Sequence, residues 1–289
     1  MSAFETRYRT ATVEGLEIFY REAGDPSQPT LVLLHGFPAS SFMFRELITA
    51  LADRYHLIAP DHVGFGQSAM PTVDEFDYTF ERLAEITLAF LDRLGLDRFA
   101  LYVQDYGAPI GLRIASRNPE RVTALVSQNG NAYIEGFTPF WDGLFAYARD
   151  GVTNAHAARA SMDPEGTRWV YTHGVHPERL ERLAPDAWVV DQAALDRPGN
   201  REVQLALFRD YPSNIDEYPA FQGYFRTHQP PALVAWGEHD EIFGPDGARA
   251  YARDLPDAEI HLLDAGHYAL ETRGEEIAAL VRSFLDRVL

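Results

Sequence analysis

A carboxylate occupies position 105, within the stretch Val103-Gln104-Asp105-Tyr106-Gly107, between an apolar strand-like run and a glycine-containing helix start. A sharp strand-to-helix turn would project the Asp105 side chain, and Gly107 supplies the small residue that lets the helix approach closely. A carboxylate is a poor acyl acceptor but a competent nucleophile toward an sp3 carbon that bears a leaving group. The expected intermediate is an alkyl ester of Asp105. Because Asp is also favoured as a helix N-cap, this stretch alone leaves a capping role open.

Two later segments supply the partners that such a nucleophile needs. Trp236-Gly237-Glu238-His239-Asp240 places a carboxylate just past a late strand, and His267 follows the next strand in the stretch Asp264-Ala265-Gly266-His267. The chain order is therefore nucleophile, acid, histidine, which is the order found in α/β-hydrolases. We expect His267, oriented by Asp240, to activate the water that hydrolyses the ester.

A third motif predicts where negative charge is stabilised. His35-Gly36-Phe37-Pro38 follows the apolar run 31–34 at the position where this arrangement supplies one oxyanion-hole N–H. The backbone N–H groups of Phe37 and Tyr106 are the predicted donors. They would hold the Asp105 carboxylate and then stabilise the tetrahedral species formed when water attacks the ester.

The elements that must position these residues alternate between short β-rich runs and longer helical patterns, which predicts an α/β fold with a mostly parallel sheet flanked by helices. Glu14-Gly15 predicts a two-residue turn in an opening hairpin. Helices are predicted over about 41–55, 80–94, 246–254 and 275–288, and buried strands over 31–34, 57–60, 99–103, 123–126, 232–236 and 260–263. Strand signals nearly vanish between about 132 and 213. We predict a core from 1–131 and 214–289, with a helical cap inserted over 132–213.

Composition narrows the choice of partners. With 43 acidic and 25 basic residues, the formal charge of −18 disfavours nucleic acid and anionic membranes, so a small neutral, apolar substrate fits better. The chain has no cysteine. His173 and His176 lack a well-spaced third ligand, so neither a metal nor a cofactor is predicted. The start of the chain carries no signal-like segment, which we interpret as a cytoplasmic protein. A homodimer is left open.

The motifs resemble the haloalkane dehalogenase and epoxide hydrolase branch of the α/β-hydrolase superfamily. Val103-Gln104-Asp105 and the segment 236–240 are similar to dehalogenases, whereas His35-Gly36-Phe37-Pro38 and Asp105-Tyr106-Gly107-Ala108-Pro109 are similar to epoxide hydrolases. The resemblance implies the α/β-hydrolase fold, an Asp nucleophile and no cofactor. It covers the predicted core and is weak in the predicted cap.

The leaving group separates the two activities. Dehalogenases typically place Trp directly after the nucleophile and often Asn after His-Gly, positions that Tyr106 and Phe37 occupy here. Epoxide hydrolases typically use cap tyrosines as donors, and the predicted cap and its flank hold Tyr133, Tyr147, Tyr171, Tyr211, Tyr218 and Tyr224. The sequence therefore favours epoxide hydrolysis to a diol.

Three other activities stay open. Haloalkane dehalogenation is the first alternative, because the indoles of Trp141 and Trp169 would suit a halide; with Tyr171, these are the candidate substrate-binding residues of the cap. An esterase-like hydrolase and a non-catalytic ligand sensor are the remaining alternatives.

Overall fold

The computed structural model describes residues 4–289, which contain one eight-stranded sheet. Its strands are β1 (Arg7–Val13), β2 (Leu16–Ala23), β3 (Thr30–Leu34), β4 (His56–Pro60), β5 (Phe99–Gln104), β6 (Val122–Gln128), β7 (Ala232–Gly237) and β8 (Glu259–Leu263). The spatial order is β1-β2-β4-β3-β5-β6-β7-β8. The pairs β1/β2 and β2/β4 are antiparallel and all the others are parallel. The predicted α/β class with a mostly parallel sheet is confirmed.

The predicted opening hairpin is also present. Val13 pairs with Leu16 across a two-residue turn. Glu14 and Gly15 both have positive φ, 48° and 83°. Positive φ at both central residues defines the type I′ turn, whose twist matches that of the flanking strands.

The central strands are apolar because helices cover both faces of a parallel sheet. Every residue of β4, β5 and β7 is buried. Because β3, β5, β6, β7 and β8 run parallel, their carboxyl ends meet at one edge of the sheet, where ligands bind in open α/β folds. No helix within residues 4–289 is long and apolar enough to cross a membrane.

The helices that flank the sheet are α1 (Arg45–Leu51), α2 (Phe80–Arg93), α3 (Gly107–Arg117), α11 (Pro245–Asp254) and α12 (Ala269–Val288), and the helices between β6 and β7 are α4 (Phe140–Asp150), α5 (Ala155–Ala160), α6 (Pro164–Thr172), α7 (Pro177–Leu180), α8 (Asp186–Leu195), α9 (Asn200–Asp210) and α10 (Pro212–His228). Short 3-10 turns span Ser41–Phe44, Pro119–Arg121 and Ile134–Gly136.

Two predicted helices differ in their bounds. The helix expected over 41–55 is a 3-10 turn followed by the shorter α1, because the chain turns after Leu51 so that the His56 N–H can bond the Pro29 carbonyl at the start of β4. The closing helix α12 begins at Ala269 rather than near 275, with a kink at Arg273 (φ −129°, ψ 23°). The predicted start corresponds to the part of α12 beyond the kink.

The segment between β6 and β7, residues 129–231, is called the insert below. Its helices carry the aromatic residues that the sequence placed in a cap. Helix α10 runs through the predicted boundary at 213/214 and packs on α3, where buried Arg113 donates to the Asn214 side chain at 2.7 Å. The division into 1–131, 132–213 and 214–289 stays a prediction.

Candidate active site

Asp105 sits at a strained turn between β5 and α3. Its φ is +47°, a conformation that non-glycine residues adopt rarely and that costs on the order of 1–3 kcal/mol. The turn is tight because α3 begins two residues later: a Cβ on Gly107 would lie 2.1 Å from the Leu34 carbonyl oxygen. The carboxylate therefore stands at the N-terminal end of an eleven-residue helix, where the helix dipole favours an anion.

The loop after β3 holds this carboxylate. The Phe37 N–H donates to Asp105 Oδ1 at 2.6 Å. Burial raises the pKa of the Asp105 carboxyl and outweighs the lowering by His267 and by the backbone N–H groups of Phe37 and Tyr106. Both predicted oxyanion-hole N–H groups thus act on the carboxylate. Gly36 is required beside them, because a Cβ there would lie 2.3 Å from Asp105 Oδ1.

His35 fixes the shape of this loop. Its Nε2 accepts the His62 N–H at 3.1 Å, and its Nδ1 lies 3.0 Å from the Gly36 carbonyl oxygen. Burial lowers the pKa of His35 to about 4, so the ring is neutral near pH 7. The hydrogen bonds of His35 connect this loop to the segment that follows β4.

His267 lies between two carboxylates, with Nε2 3.7 Å from Asp105 Oδ2 and Nδ1 2.8 Å from Asp240 Oδ2. Burial lowers the pKa of His267, but the charge and hydrogen bond of Asp240 and the charge of Asp105 raise it above its usual value. Burial raises the pKa of the Asp240 carboxyl, but His267 and His173 lower it by more. Its pKa is therefore below the usual value, and the carboxyl is ionised. The structure brings together the three side chains that the sequence nominated.

Two further side chains at this site were missed by the sequence reasoning. Asn129, directly after β6 and with φ +47°, donates from Nδ2 to Asp240 Oδ2 at 2.7 Å and accepts the Gly237 N–H. Gln104 Nε2 lies 3.0 Å from His267 Nε2, while Gln104 Oε1 has no partner within residues 4–289. The available signal was a polar residue at the carboxyl end of each of these strands.

An apolar cavity of about 260 Å³ opens above Asp105. Phe37, Asp105 and Tyr106 form its floor. The walls come mainly from the insert: Phe140, Trp141, Leu144, Ala157, Ser161, Gly166, Trp169, Val170 and Phe208, with Ile242 from the loop after β7. Its size and lining suit a small apolar molecule.

Two of the three predicted substrate-binding residues line the cavity. Trp141 lines the cavity, but its indole N–H donates to the Ile242 carbonyl at 2.9 Å and is not free for a ligand. Trp169 also lines the cavity, stacked on Phe140 and His173. Tyr171 does not line the cavity, because its hydroxyl donates to the Asp191 carboxylate instead.

Tyr106, in the floor of the cavity, carries a buried hydroxyl group. The Tyr106 hydroxyl is buried and has no hydrogen-bond partner within residues 4–289. Burial, and secondarily the charge of Asp105, raise the pKa of this hydroxyl well above its usual value, so it keeps its proton. A buried donor without an acceptor is unfavourable by roughly 1–3 kcal/mol.

Among residues 4–289, no three His, Cys, Asp or Glu side chains are grouped so as to hold a metal ion. His173 and His176, the pair considered from the sequence, separate: His173 is buried beside Asp240, and His176 is exposed at the start of α7.

Comparison with known proteins places this site in a family. Residues 29–274 match the family described as alpha/beta hydrolase fold. The chain belongs to the alpha/beta hydrolase family. This hydrolase is 41% identical to an uncharacterized hydrolase, YNR064C, of Saccharomyces cerevisiae, with 96% of this chain and 97% of the relative covered.

Other relatives of this alpha/beta hydrolase carry an activity in their names. It is 41% identical to a haloalkane dehalogenase of Mycolicibacterium paratuberculosis, covering 95% of this chain and 89% of that protein. The crystal structure of a loop variant of the haloalkane dehalogenase DbeA from Bradyrhizobium elkanii superposes with a TM-score of 0.79 at 23% identity, over 98% of this chain and 97% of that one. The chain is thus an enzyme of the alpha/beta hydrolase family with haloalkane dehalogenase-like relatives.

Proposed function

We propose that this hydrolase cleaves the carbon–halogen bond of small, neutral haloalkanes through an alkyl ester of Asp105. The observation that carries the proposal is a buried carboxylate at the floor of an apolar cavity, with a histidine nitrogen 3.7 Å behind it. Burial removes water from Asp105, and a poorly solvated carboxylate is a stronger nucleophile. No cofactor enters this scheme.

In the first step Asp105 Oδ2 attacks the carbon that bears the halogen. The bond to carbon forms as the carbon–halogen bond breaks, and the halide leaves with the electron pair. Phe37 holds Oδ1 at 2.6 Å, which fixes the direction of Oδ2. The Tyr106 hydroxyl supplies the hydrogen bond that a departing halide needs.

In the second step water attacks Cγ of the ester. Alkylation removes the negative charge of Asp105, which is one cause of the raised pKa of His267, so that pKa falls and the ring becomes available as a base. The water must take the place of the Gln104 amide on His267 Nε2. His267 accepts a proton from the water and returns it to the departing alcohol oxygen, while the second proton of the water goes to solvent as the carboxylate reforms.

The cavity lining favours a halide over an epoxide. Opening an epoxide requires a proton or a strong hydrogen bond at the ring oxygen, and the resemblance led us to expect it from cap tyrosines. The cap tyrosines nominated for this role do not line the cavity. Tyr106 does line the cavity, and its hydroxyl is the donor that we assign to the halide.

Epoxide hydrolysis is the second candidate because the same Tyr106 hydroxyl can also contact an epoxide oxygen. A trapping experiment separates the two. The His267→Gln variant is incubated with 1-bromobutane or with 1,2-epoxybutane, and Asp105 is examined by mass spectrometry while the parent enzyme is assayed for halide and diol.

We expect a butyl adduct on Asp105 and bromide release by the parent enzyme. A hydroxybutyl adduct with diol formation, and no bromide release, would replace the proposal by epoxide hydrolysis. No adduct from either reagent, with parent turnover unchanged in Asp105→Ala, would reject the mechanism. Ligand binding without turnover would indicate a sensor.

A further inference from the structure

A second histidine contacts the carboxylate of Asp240. His173 follows α6 in the insert, and its Nε2 lies 3.5 Å from Asp240 Oδ1. Both side chains are buried. His173 Nδ1 lies 3.0 Å from the Trp169 carbonyl oxygen, which can only accept, so Nδ1 carries a proton.

The contact is built into the backbone. The His173 carbonyl oxygen would lie 2.0 Å from a Cβ on Gly266, the residue before His267. Gly174, with φ +66°, would place a Cβ 2.2 Å from the carbonyl oxygen of His239, the residue before Asp240. The insert thus packs directly on the two loops that carry Asp240 and His267, at positions where only glycine fits.

The donors around Asp240 define what His173 contributes. Oδ2 accepts from His267 and Asn129, and Oδ1 accepts the Ile242 N–H at 2.8 Å. One acceptor site on Oδ1 remains, and it faces His173 Nε2. This nitrogen is without a hydrogen bond among the described residues at the present 3.5 Å.

We propose that His173 is a positioning residue, which donates from Nε2 to Asp240 Oδ1 and fixes this carboxylate for its bond to His267. The carboxylate then has four donors and one orientation. This inference rests on the proposed role of His267 in ester hydrolysis.

The same ring connects Asp240 to the wall of the cavity. His173 stacks on Trp169 with ring centroids 4.2 Å apart and an interplanar angle of 15°. Trp169 lines the cavity above Asp105. A change in the ring at 173 therefore acts both on the orientation of Asp240 and on the wall, and the test must separate the two effects.

Two substitutions at 173 achieve this. His173→Phe keeps a ring against Trp169 and removes the donor, whereas His173→Gln keeps an N–H donor and removes the ring. His176→Phe is the matched control, because His176 is exposed three residues away. Each protein is mixed rapidly with 1-bromobutane, and formation and decay of the Asp105 adduct are followed by mass spectrometry. A low-field proton NMR spectrum monitors the hydrogen bond between His267 and Asp240.

We expect His173→Phe to form the adduct within about twofold of the parent rate and to hydrolyse it roughly tenfold more slowly, the effect of one charge-assisted hydrogen bond. His173→Gln should recover part of that loss, and His176→Phe should match the parent. The low-field resonance should shift or broaden only in the variants at 173.

Equal slowing of both steps, with no recovery in His173→Gln, would indicate a role in folding and overturn the inference. Unchanged hydrolysis and an unchanged low-field resonance in His173→Phe would also overturn it. If the parent itself forms no adduct, the proposed function fails, while the NMR comparison still tests the contact between His173 and Asp240.

Discussion

Replacing Asn129 tests whether Asp240 depends on the hydrogen bonds that surround it. Asn129 donates to Asp240 Oδ2 at 2.7 Å, and its Oδ1 accepts the Gly237 N–H at 3.1 Å and the Gln128 amide at 2.9 Å. The charged bond contributes about 1.5–3 kcal/mol and each neutral one about 0.5–1.5 kcal/mol. Asn also tolerates its φ of +47° better than alanine does, a difference of about 1 kcal/mol. Asn129→Ala should therefore lower the free energy of unfolding by about 3.5–7 kcal/mol.

The matched variant is Asn129→Gly, which loses the same hydrogen bonds but accepts the positive φ. It should be less destabilised than Asn129→Ala by about 1 kcal/mol. Urea unfolding followed by tryptophan fluorescence measures both. In the same variants the Asp105 adduct should form at a near-normal rate and hydrolyse slowly, because Asp240 no longer holds His267 in one orientation.

A third variant should make the free energy of unfolding depend on pH. Asn129→Asp places a second carboxylate against Asp240, and burial and like charge raise the pKa of the new group. A raised folded-state pKa makes the stability greatest below the unfolded-state pKa, and stability is lost as pH rises through the folded-state value. A loss below about 1 kcal/mol in Asn129→Ala, or Asn129→Gly being the less stable of the two, would refute this account of the site.

Three further outcomes follow from the geometry. Gly36→Ala should slow alkylation at least tenfold, because its Cβ would meet the Asp105 carboxylate at 2.3 Å, while Gly274→Ala, with open space around it, should be near neutral. Tyr106→Phe should retain or slightly raise the melting temperature, since it removes a buried unpaired hydroxyl, yet slow bromide release by roughly tenfold to a hundredfold. Asp105→Asn should move the titration of His267, followed by NMR, to lower pH, because one charge that raises its pKa is gone.

One result would contradict each of these three predictions. Adduct formation at the parent rate in Gly36→Ala would mean that the loop after β3 can move away from Asp105. Unchanged bromide release in Tyr106→Phe would remove the proposed halide donor. A His267 titration that does not move in Asp105→Asn would show that the two groups are not electrostatically coupled.

Much of the scaffold was predictable because its signals are local. The hairpin followed from Glu14-Gly15, and the strands from short apolar runs, since a buried parallel strand must be apolar on both faces. The helix ends at 51 and 269 were missed, because they depend on where the chain must turn to meet its neighbours and on a kink at Arg273.

The sequence located those site residues whose positions depend on local sequence, and it was less successful with the others. Asp105, Asp240 and His267 each follow a strand whose end is readable from the chain, and parallel strands bring such ends to one edge. Trp141 and Tyr171 were nominated by residue type alone. In the structure the Trp141 indole N–H donates to a carbonyl of the loop after β7, and the Tyr171 hydroxyl donates to Asp191.

The sequence by itself determined the α/β fold, the order of Asp105, Asp240 and His267 along the chain and the carboxylate at the turn, because strand ends and tight turns depend on short runs of residues. Only the tertiary structure decided what surrounds them. His173 lies beside Asp240 although many residues of chain separate them, and the packing of several elements leaves the Tyr106 hydroxyl without a hydrogen-bond partner within residues 4–289. Such contacts depend on how distant segments pack, and no local pattern encodes them.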